Sequence, residues 1–165
     1  MAVVVWLTGL SGSGKTTVAK GLIERMDTVI HLDGDVVRSG LCSDLRYTEA
    51  DRSENVRRVA YVAQLINKAG VDCIVSFISP CKAMRLLARS LVPRGNFVEV
   101  YLSTPISECE RRDPKGLYGK VRRGELYGFT GIDQPYEAPE YPEMVINTKD
   151  RTVESVCDEI MRGIG

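Results

Sequence analysis

GLSGSGKT, Gly9 to Thr16, follows directly on the apolar run VVVWLT of Val3 to Thr8. The pattern is Gly, four residues, then Gly-Lys-Thr. Its setting gives it weight, because a buried strand precedes it and an amphipathic helix follows it. The glycines let the backbone fold back on itself. The helix that starts near Thr16 then aims its amide groups and positive dipole end at an anion. Lys15 reaches the β- and γ-phosphates, and the Thr16 hydroxyl is available to Mg²⁺. A Gly/Ser-rich turn with an incidental lysine is the competing reading, and the legible strand and helix on either side speak against it. The stretch therefore predicts a P-loop in which Gly9, Gly12, Ser13, Gly14, Lys15, Thr16 and Thr17 surround the phosphates of a nucleoside triphosphate.

Outward from this loop, helical and strand patterns alternate. Val3–Thr8 is a strand, and Thr16–Met26 is a helix with Val18, Leu22, Ile23 and Met26 on one face. Thr28–Leu32 is a short strand. Thr48 to about Ala69 is a long helix that opens with TEAD, an N-cap threonine with an acid three residues on, and stops at Gly70. Asp72–Ile78 reads as a central strand, after which Ser79-Pro80 suits the N-cap and first position of another helix. Phe97–Ser103 and Met144–Asn147 are the remaining strands. Thr104-Pro105 opens a helix, and Thr152–Arg162 closes the chain as one. Short apolar strands separated by helices predict an α/β fold with a five-stranded parallel sheet covered on both faces, in one domain over residues 1–165; the resemblance to P-loop NTPases implies the three-layered P-loop fold with the strand order 2-3-1-4-5. Ligands then sit beyond the C-terminal strand ends. Asp113–Pro142 is rich in Gly, Pro, Tyr and charge without clear periodicity, and predicts an irregular, mobile lid.

Composition narrows the function. Of 165 residues, 44% are apolar and 27% charged, as expected of a soluble globular domain. Lys+Arg and Asp+Glu both number 22, so no basic excess points to nucleic acid or to a membrane surface. No apolar run approaches a bilayer-spanning length, and with the first strand so early no export leader is expected. The odd cysteine count and the lack of CxxC spacing predict free thiols in a reducing, cytoplasmic setting. His31 is the only histidine, which argues against zinc; inside VIHLD it reads as a packed residue.

Phosphoryl transfer needs a carboxylate to orient the acceptor hydroxyl or to position Mg²⁺. Asp33-Gly34-Asp35 supplies two acids at the end of the second strand, beside the P-loop. DG is also a common turn dipeptide, so a solvated turn is the alternative. Arg38, Arg52 and Asn55 follow, the last two on one helix face, and guanidinium groups of this kind suit a phosphate- or sulfate-bearing acceptor. Arg57 and Arg58 read as a solvated basic face. The third strand ends in SFIS with no acid, so Mg²⁺ falls to Thr16, the nucleotide and Asp33. The missing acid and the missing NKxD motif weaken a GTPase reading.

Together GLSGSGKTT, LDGDVVRSGLCSDL, TEADRSENVRR, SFISP, DPKGLY and GFTGIDQPYEAPEYPE resemble the adenylylsulfate kinase family over nearly the whole chain. The resemblance implies an enzyme that uses MgATP to phosphorylate the 3′-hydroxyl of adenosine 5′-phosphosulfate. It implies that Asp33 polarises that hydroxyl, with Lys15 and Ser79 beside it as catalytic residues. Asp35, Arg38, Arg52 and Asn55 would bind the phosphosulfate nucleotide, with Tyr47, Ile78 and Ser79 lining the same pocket. Lys115, Gly128 and Phe129 would form the clamp and lid, Phe129 stacking on adenine. The family serine matching Ser79 has been described as a phosphoserine intermediate, but direct transfer needs no covalent relay and a helix cap accounts for the residue. A homodimer and a functional coupling to a sulfate adenylyltransferase are further implications.

The chain departs from the family pattern at Leu45-Arg46-Tyr47, usually LGF; at Gly119, usually lysine; and at Cys81-Lys82, where an arginine usually follows SFISP. Two alternatives stay open at this point: a kinase of the same scaffold acting on another anionic nucleotide, and a nucleotide-gated binding protein without a small-molecule acceptor.

Overall fold

The computed structural model describes residues 1–165. Five parallel strands, β1 (Val4–Thr8), β2 (Val29–Asp33), β3 (Asp72–Ser76), β4 (Phe97–Leu102) and β5 (Met144–Ile146), form one sheet in the order β2-β3-β1-β4-β5. The order agrees with expectation. The central strand β1 is wholly buried, so its apolar side chains alternate between two cores. Val4 and Trp6 face the core under α3 (Glu49–Lys68) and α4 (Lys82–Leu91). Val5 and Leu7 face the core under α1 (Lys15–Ile23) and α7 (Val153–Ile164).

Local chemistry starts the helices. The Thr48 hydroxyl accepts from the Asp51 amide at the head of α3, and the Thr152 hydroxyl from the Ser155 amide at the head of α7. A helix that the sequence reading did not anticipate, α2 (Gly34–Ser39), begins straight after β2, with Asp33 as its N-cap accepting from the Asp35 amide at 3.1 Å. Asp33-Gly34-Asp35 is thus a strand-to-helix junction rather than a solvated turn.

Two expectations need correction. Ser79 does not cap α4. It is buried with φ 42°, its hydroxyl accepts from Trp6 Nε1 at 2.9 Å, and it donates to the Phe77 carbonyl at 3.1 Å. Those bonds turn the hydroxyl toward β1 and its own chain, and the helix starts three residues later, at Lys82. Its first amide is capped by Glu137, whose Oε2 accepts from Lys82 N at 2.7 Å. The cap therefore comes from a distant segment, which local sequence cannot announce.

The lid is also less irregular than expected. After α5 (Ile106–Arg112), the segment contains α6 (Leu117–Arg122). The Asp113 carboxylate accepts from the amides of Tyr118 and Gly119, both at 3.0 Å, and nucleates that turn. Tyr118 is buried in a third apolar cluster with Cys109 and Phe129, which gives the lid a small core.

Candidate active site

The C-terminal ends of β1, β2 and β3 open into one cleft of about 780 Å³, lined by the P-loop, the Asp33 junction, α3, the Ile78–Pro80 shelf and the lid. On the P-loop side, Gly12, Gly14, Lys15, Thr16 and Thr17 line it. Gly9 and Ser13 stand behind this wall rather than in it. A Cβ on Gly9 (φ 152°) would lie 2.7 Å from the Leu102 carbonyl oxygen, so only glycine lets the loop turn so close to β4. The Ser13 carbonyl accepts from Thr148 Oγ1 at 2.8 Å. Lys15 Nζ donates to the carbonyls of Gly9 (2.9 Å) and Leu10 (2.8 Å), across the loop's own curve. Burial pushes its pKa down to about 7.

Asp33 joins the two halves. Its Oδ2 accepts from Thr16 Oγ1 at 2.9 Å and from Ser76 Oγ at 3.0 Å, while Oδ1 caps α2. Burial alone would raise the carboxyl pKa, but the Thr16, Ser76 and Asp35 donors outweigh it and hold it below the ordinary carboxylate value. The group is an anion in hydrogen-bond contact with the P-loop threonine. His31, read as a packed residue, contacts Ser76 Oγ through Nε2 at 2.8 Å.

The residues assigned to an acceptor collect on the opposite wall. Asp35, Arg38, Tyr47, Arg52, Asn55, Ile78, Ser79, Lys115, Gly128 and Phe129 all line the same cleft. Asn55 is 5% exposed and its Oδ1 has no protein partner. A buried acceptor left unpaired costs about 1–3 kcal/mol, a cost that a ligand donor would remove. Arg52 clamps the lid to α3: it donates to the Tyr47 carbonyl (3.0 Å), to Thr130 Oγ1 (3.0 Å) and to the Gly128 carbonyl. Arg38 donates to the Arg46 carbonyl, and its guanidinium lies 4.4 Å from the Tyr47 ring centroid. Lys115 of the lid pairs with Asp35 of α2 across the cleft mouth. Phe129 meets Tyr118 edge-on, with centroids 4.9 Å apart, so its ring serves the lid core while also facing the cleft. Arg57 and Arg58 pair with Glu54, and Arg58 also with Asp44, on the outer face of α3.

Sequence reading missed Arg112. It lines the cleft and donates from Nη1 to the Gly12 carbonyl (3.2 Å) and Thr148 Oγ1 (2.9 Å), with its Nε on Glu108. The available signal was Glu108 with arginines three and four residues on, just before DPKG.

The family model of adenylylsulphate kinase matches residues 1–147. An adenylyl-sulfate kinase of Escherichia coli O6:K15:H31 is 55% identical over 149 residues, covering 88% of this chain and 74% of the relative. The bifunctional enzyme NodQ of Rhizobium sp. (strain N33) is 54% identical over 161 residues, 95% of this chain, yet the chain spans only 25% of that longer protein. Among solved structures, the Mycobacterium tuberculosis APS kinase CysC in complex with AMPPNP and APS superposes with a TM-score of 0.90 at 42% identity, covering 99% of this chain and 97% of that one. A match along nine-tenths of the chain, with the P-loop, the Asp33 junction and the lid brought to one cleft, establishes that the chain belongs to the adenylylsulphate kinase family.

Proposed function

We propose that residues 1–165 act as one catalytic unit that transfers the γ-phosphate of ATP to the 3′-hydroxyl of adenosine 5′-phosphosulfate, giving 3′-phosphoadenylyl sulfate and ADP. The observation that carries this reading is the Asp33 carboxylate, ionised and held at 2.9 Å from the P-loop Thr16 hydroxyl while facing the wall of Arg38, Arg52 and Asn55. The related structure in complex with AMPPNP and APS supports the pairing of an ATP-type donor with that acceptor.

In this reading Asp33 takes the proton of the 3′-hydroxyl as its oxygen bonds to the γ-phosphorus. The bond from that phosphorus to the β–γ bridging oxygen breaks, and ADP leaves. Lys15 exchanges its loop carbonyls for phosphate oxygens and neutralises the charge that develops on the transferred group. Gly12, Gly14, Thr16 and Thr17 contribute amides at the head of α1. Arg38, Arg52 and Asn55 grip the phosphosulfate nucleotide, and Asp35 with Lys115 closes the mouth. Tyr47, Ile78, Gly128 and Phe129 enclose the adenosine.

Mg²⁺ fits the residues present: Thr16 and Asp33 form an all-oxygen pair, and this ion commonly takes one or two protein ligands, with phosphates and water completing its shell. When bound there it would neutralise phosphate charge. Homodimerisation, coupling to a sulfate adenylyltransferase and a cytoplasmic location also belong to this proposal. NodQ, bifunctional and much longer, supports coupling to some second activity. No helix of this chain is long and apolar enough to cross a membrane.

The test is a coupled assay of ADP release with a panel of acceptors: adenylylsulfate, adenosine monophosphate, and other anionic nucleotides. Turnover confined to adenylylsulfate supports the reading. Preference for a different base or for an unsulfated nucleotide moves the activity to another acceptor, and nucleotide binding without turnover on any acceptor returns the chain to a binding role.

A further inference from the structure

Behind the acceptor wall lies a buried charged group that the proposed chemistry does not use. Arg85 of α4 is 3% exposed. Its Nε lies 2.9 Å from Glu99 Oε1 of β4, an ion pair close in distance but not aligned as a hydrogen bond. Its two outer nitrogens are spent elsewhere: Nη1 donates to the Ser79 carbonyl at 2.6 Å, and Nη2 to the Glu137 carbonyl. One guanidinium thus ties the shelf that lines the cleft to the chain returning from the lid.

The Tyr136–Glu137 arm is tied to the shelf directly once more, and to the shelf's neighbours α4 and β1 twice. Glu137 N donates to the Pro80 carbonyl at 2.8 Å, Glu137 Oε2 caps α4 at Lys82, and the Tyr136 hydroxyl meets Thr8 Oγ1 at 2.8 Å, the latter also donating to the Ile78 carbonyl. Ser79 stands in the left-handed region, where an L-residue costs on the order of 1–2 kcal/mol. Such a conformation persists only when its surroundings over-determine it, and it occurs preferentially at functional sites. Arg85 on its carbonyl and Trp6 on its hydroxyl are those surroundings.

We propose that Arg85 is a positioning residue for the acceptor: it holds the Ile78–Pro80 shelf and the Tyr136–Glu137 arm in one arrangement, so that the acceptor half of the cleft is formed before the acceptor arrives. This rests on the phosphotransfer reading above. It predicts an effect on one substrate only, because the P-loop makes none of these contacts.

The experiment compares the parent enzyme with Arg85→Lys, with the double variant Arg85→Met/Glu99→Gln, and with Glu137→Ala. Lysine keeps a charge for Glu99 but cannot serve two carbonyls in a fixed fork. The double variant removes the buried carboxylate together with its buried cation, and Arg89, which also pairs with Glu99, keeps its partner Glu143. Glu137→Ala releases the arm from α4 without touching the ion pair. KM for adenylylsulfate and for ATP, kcat and the thermal midpoint are read for each. The expected result is an acceptor KM raised about tenfold or more in the Arg85 variants, and less in Glu137→Ala, with ATP KM within about twofold, in line with the loss of one charge-assisted hydrogen bond. Unchanged acceptor KM in the folded variants, or a parallel rise in both KM values, overturns the proposal; if neither Arg85 variant folds, Glu137→Ala decides it by the same criterion. A parent that ignores adenylylsulfate but phosphorylates another nucleotide defeats the functional reading alone, since the same KM comparison on that acceptor still tests Arg85.

Discussion

Replacing Ser79 with alanine separates two roles for a hydroxyl buried in the wall of the cleft. In the structure that hydroxyl accepts from Trp6 Nε1 at 2.9 Å and donates to the Phe77 carbonyl at 3.1 Å. Trp6 is fully buried, so Ser79→Ala strands its indole N–H with no partner. A stranded buried donor costs about 1–3 kcal/mol. The backbone strain at φ 42° is nearly the same for serine and alanine and cancels from the difference. For a chain of this size each kcal/mol lowers the midpoint by about 2–4 °C, so the expected fall is about 2–12 °C. The assay is thermal and denaturant unfolding of four proteins: parent, Ser79→Ala, Trp6→Phe and the double variant, with turnover measured on each. Phenylalanine has no N–H to strand, so Ser79→Ala should cost about 1 kcal/mol less in the Trp6→Phe background. Turnover of Ser79→Ala at saturating substrates should stay within about two orders of magnitude of the parent, because about 1–3 kcal/mol for one lost buried hydrogen bond accounts for no more. An equal cost in both backgrounds would refute the structural role of the bond. Abolished turnover in folded Ser79→Ala, with phosphoserine recovered at this position in the parent, would show that the phosphoryl group passes through Ser79.

Asp33→Asn should lower kcat by about two to four orders of magnitude and shift acceptor KM far less, because proton acceptance matters mainly in the transition state; a rise in KM alone would make Asp33 a binding residue. Its pKa lies below the ordinary carboxylate value, so the ionised form, and the stability drawn from its three donors, is complete at neutral pH and lost as pH falls through that depressed value; the acid limb of kcat/KM should therefore lie below the usual carboxylate range. Lys15, with a pKa of about 7, is mostly neutral at pH 8, and bound polyphosphate should recharge it, so calorimetry of ATP binding in buffers of differing ionisation heat should show uptake approaching one proton; no uptake would mean that Lys15 is already charged. Gly119→Lys should stabilise α6 by about 0.5–1 kcal/mol, since a Cβ there meets only the mobile end of Arg123 at 3.1 Å and Asp113 Oδ2 at 3.5 Å, and a lower thermal midpoint would show that the Asp113 cap does not tolerate the side chain.

What the sequence by itself determined was local in origin. Gly12, Gly14, Lys15 and Thr16 are legible because a phosphate loop is built from contiguous backbone, and a strand before it and a helix after it leave their own periodic marks. The parallel sheet covered on both faces follows from short apolar strands alternating with helices, since parallel pairing requires crossovers, while its order 2-3-1-4-5 comes from the fold that the P-loop implies and not from periodicity. Thr48 and Thr152 cap the helices they precede because the donor lies three residues away. Asp33 was legible as an acid at a strand end, but its part as the cap of α2 was not, because GDVVRS is too short to show a helical period.

Tertiary structure alone decided the rest, wherever a residue's partner lies far along the chain. Ser79 beside Pro80 looks like a cap, yet Trp6 from another strand takes its hydroxyl and Glu137 from the lid supplies the cap instead. Arg52 reads from its helix face as a cation for an anionic acceptor, and only the fold shows that it also reaches the lid at Gly128 and Thr130. Arg112 reads as one member of a surface ion-pair run, and only folding brings it against Gly12. A hydrogen-bonding group takes the partner that folding brings within reach, and when that partner lies scores of residues away no local pattern records it.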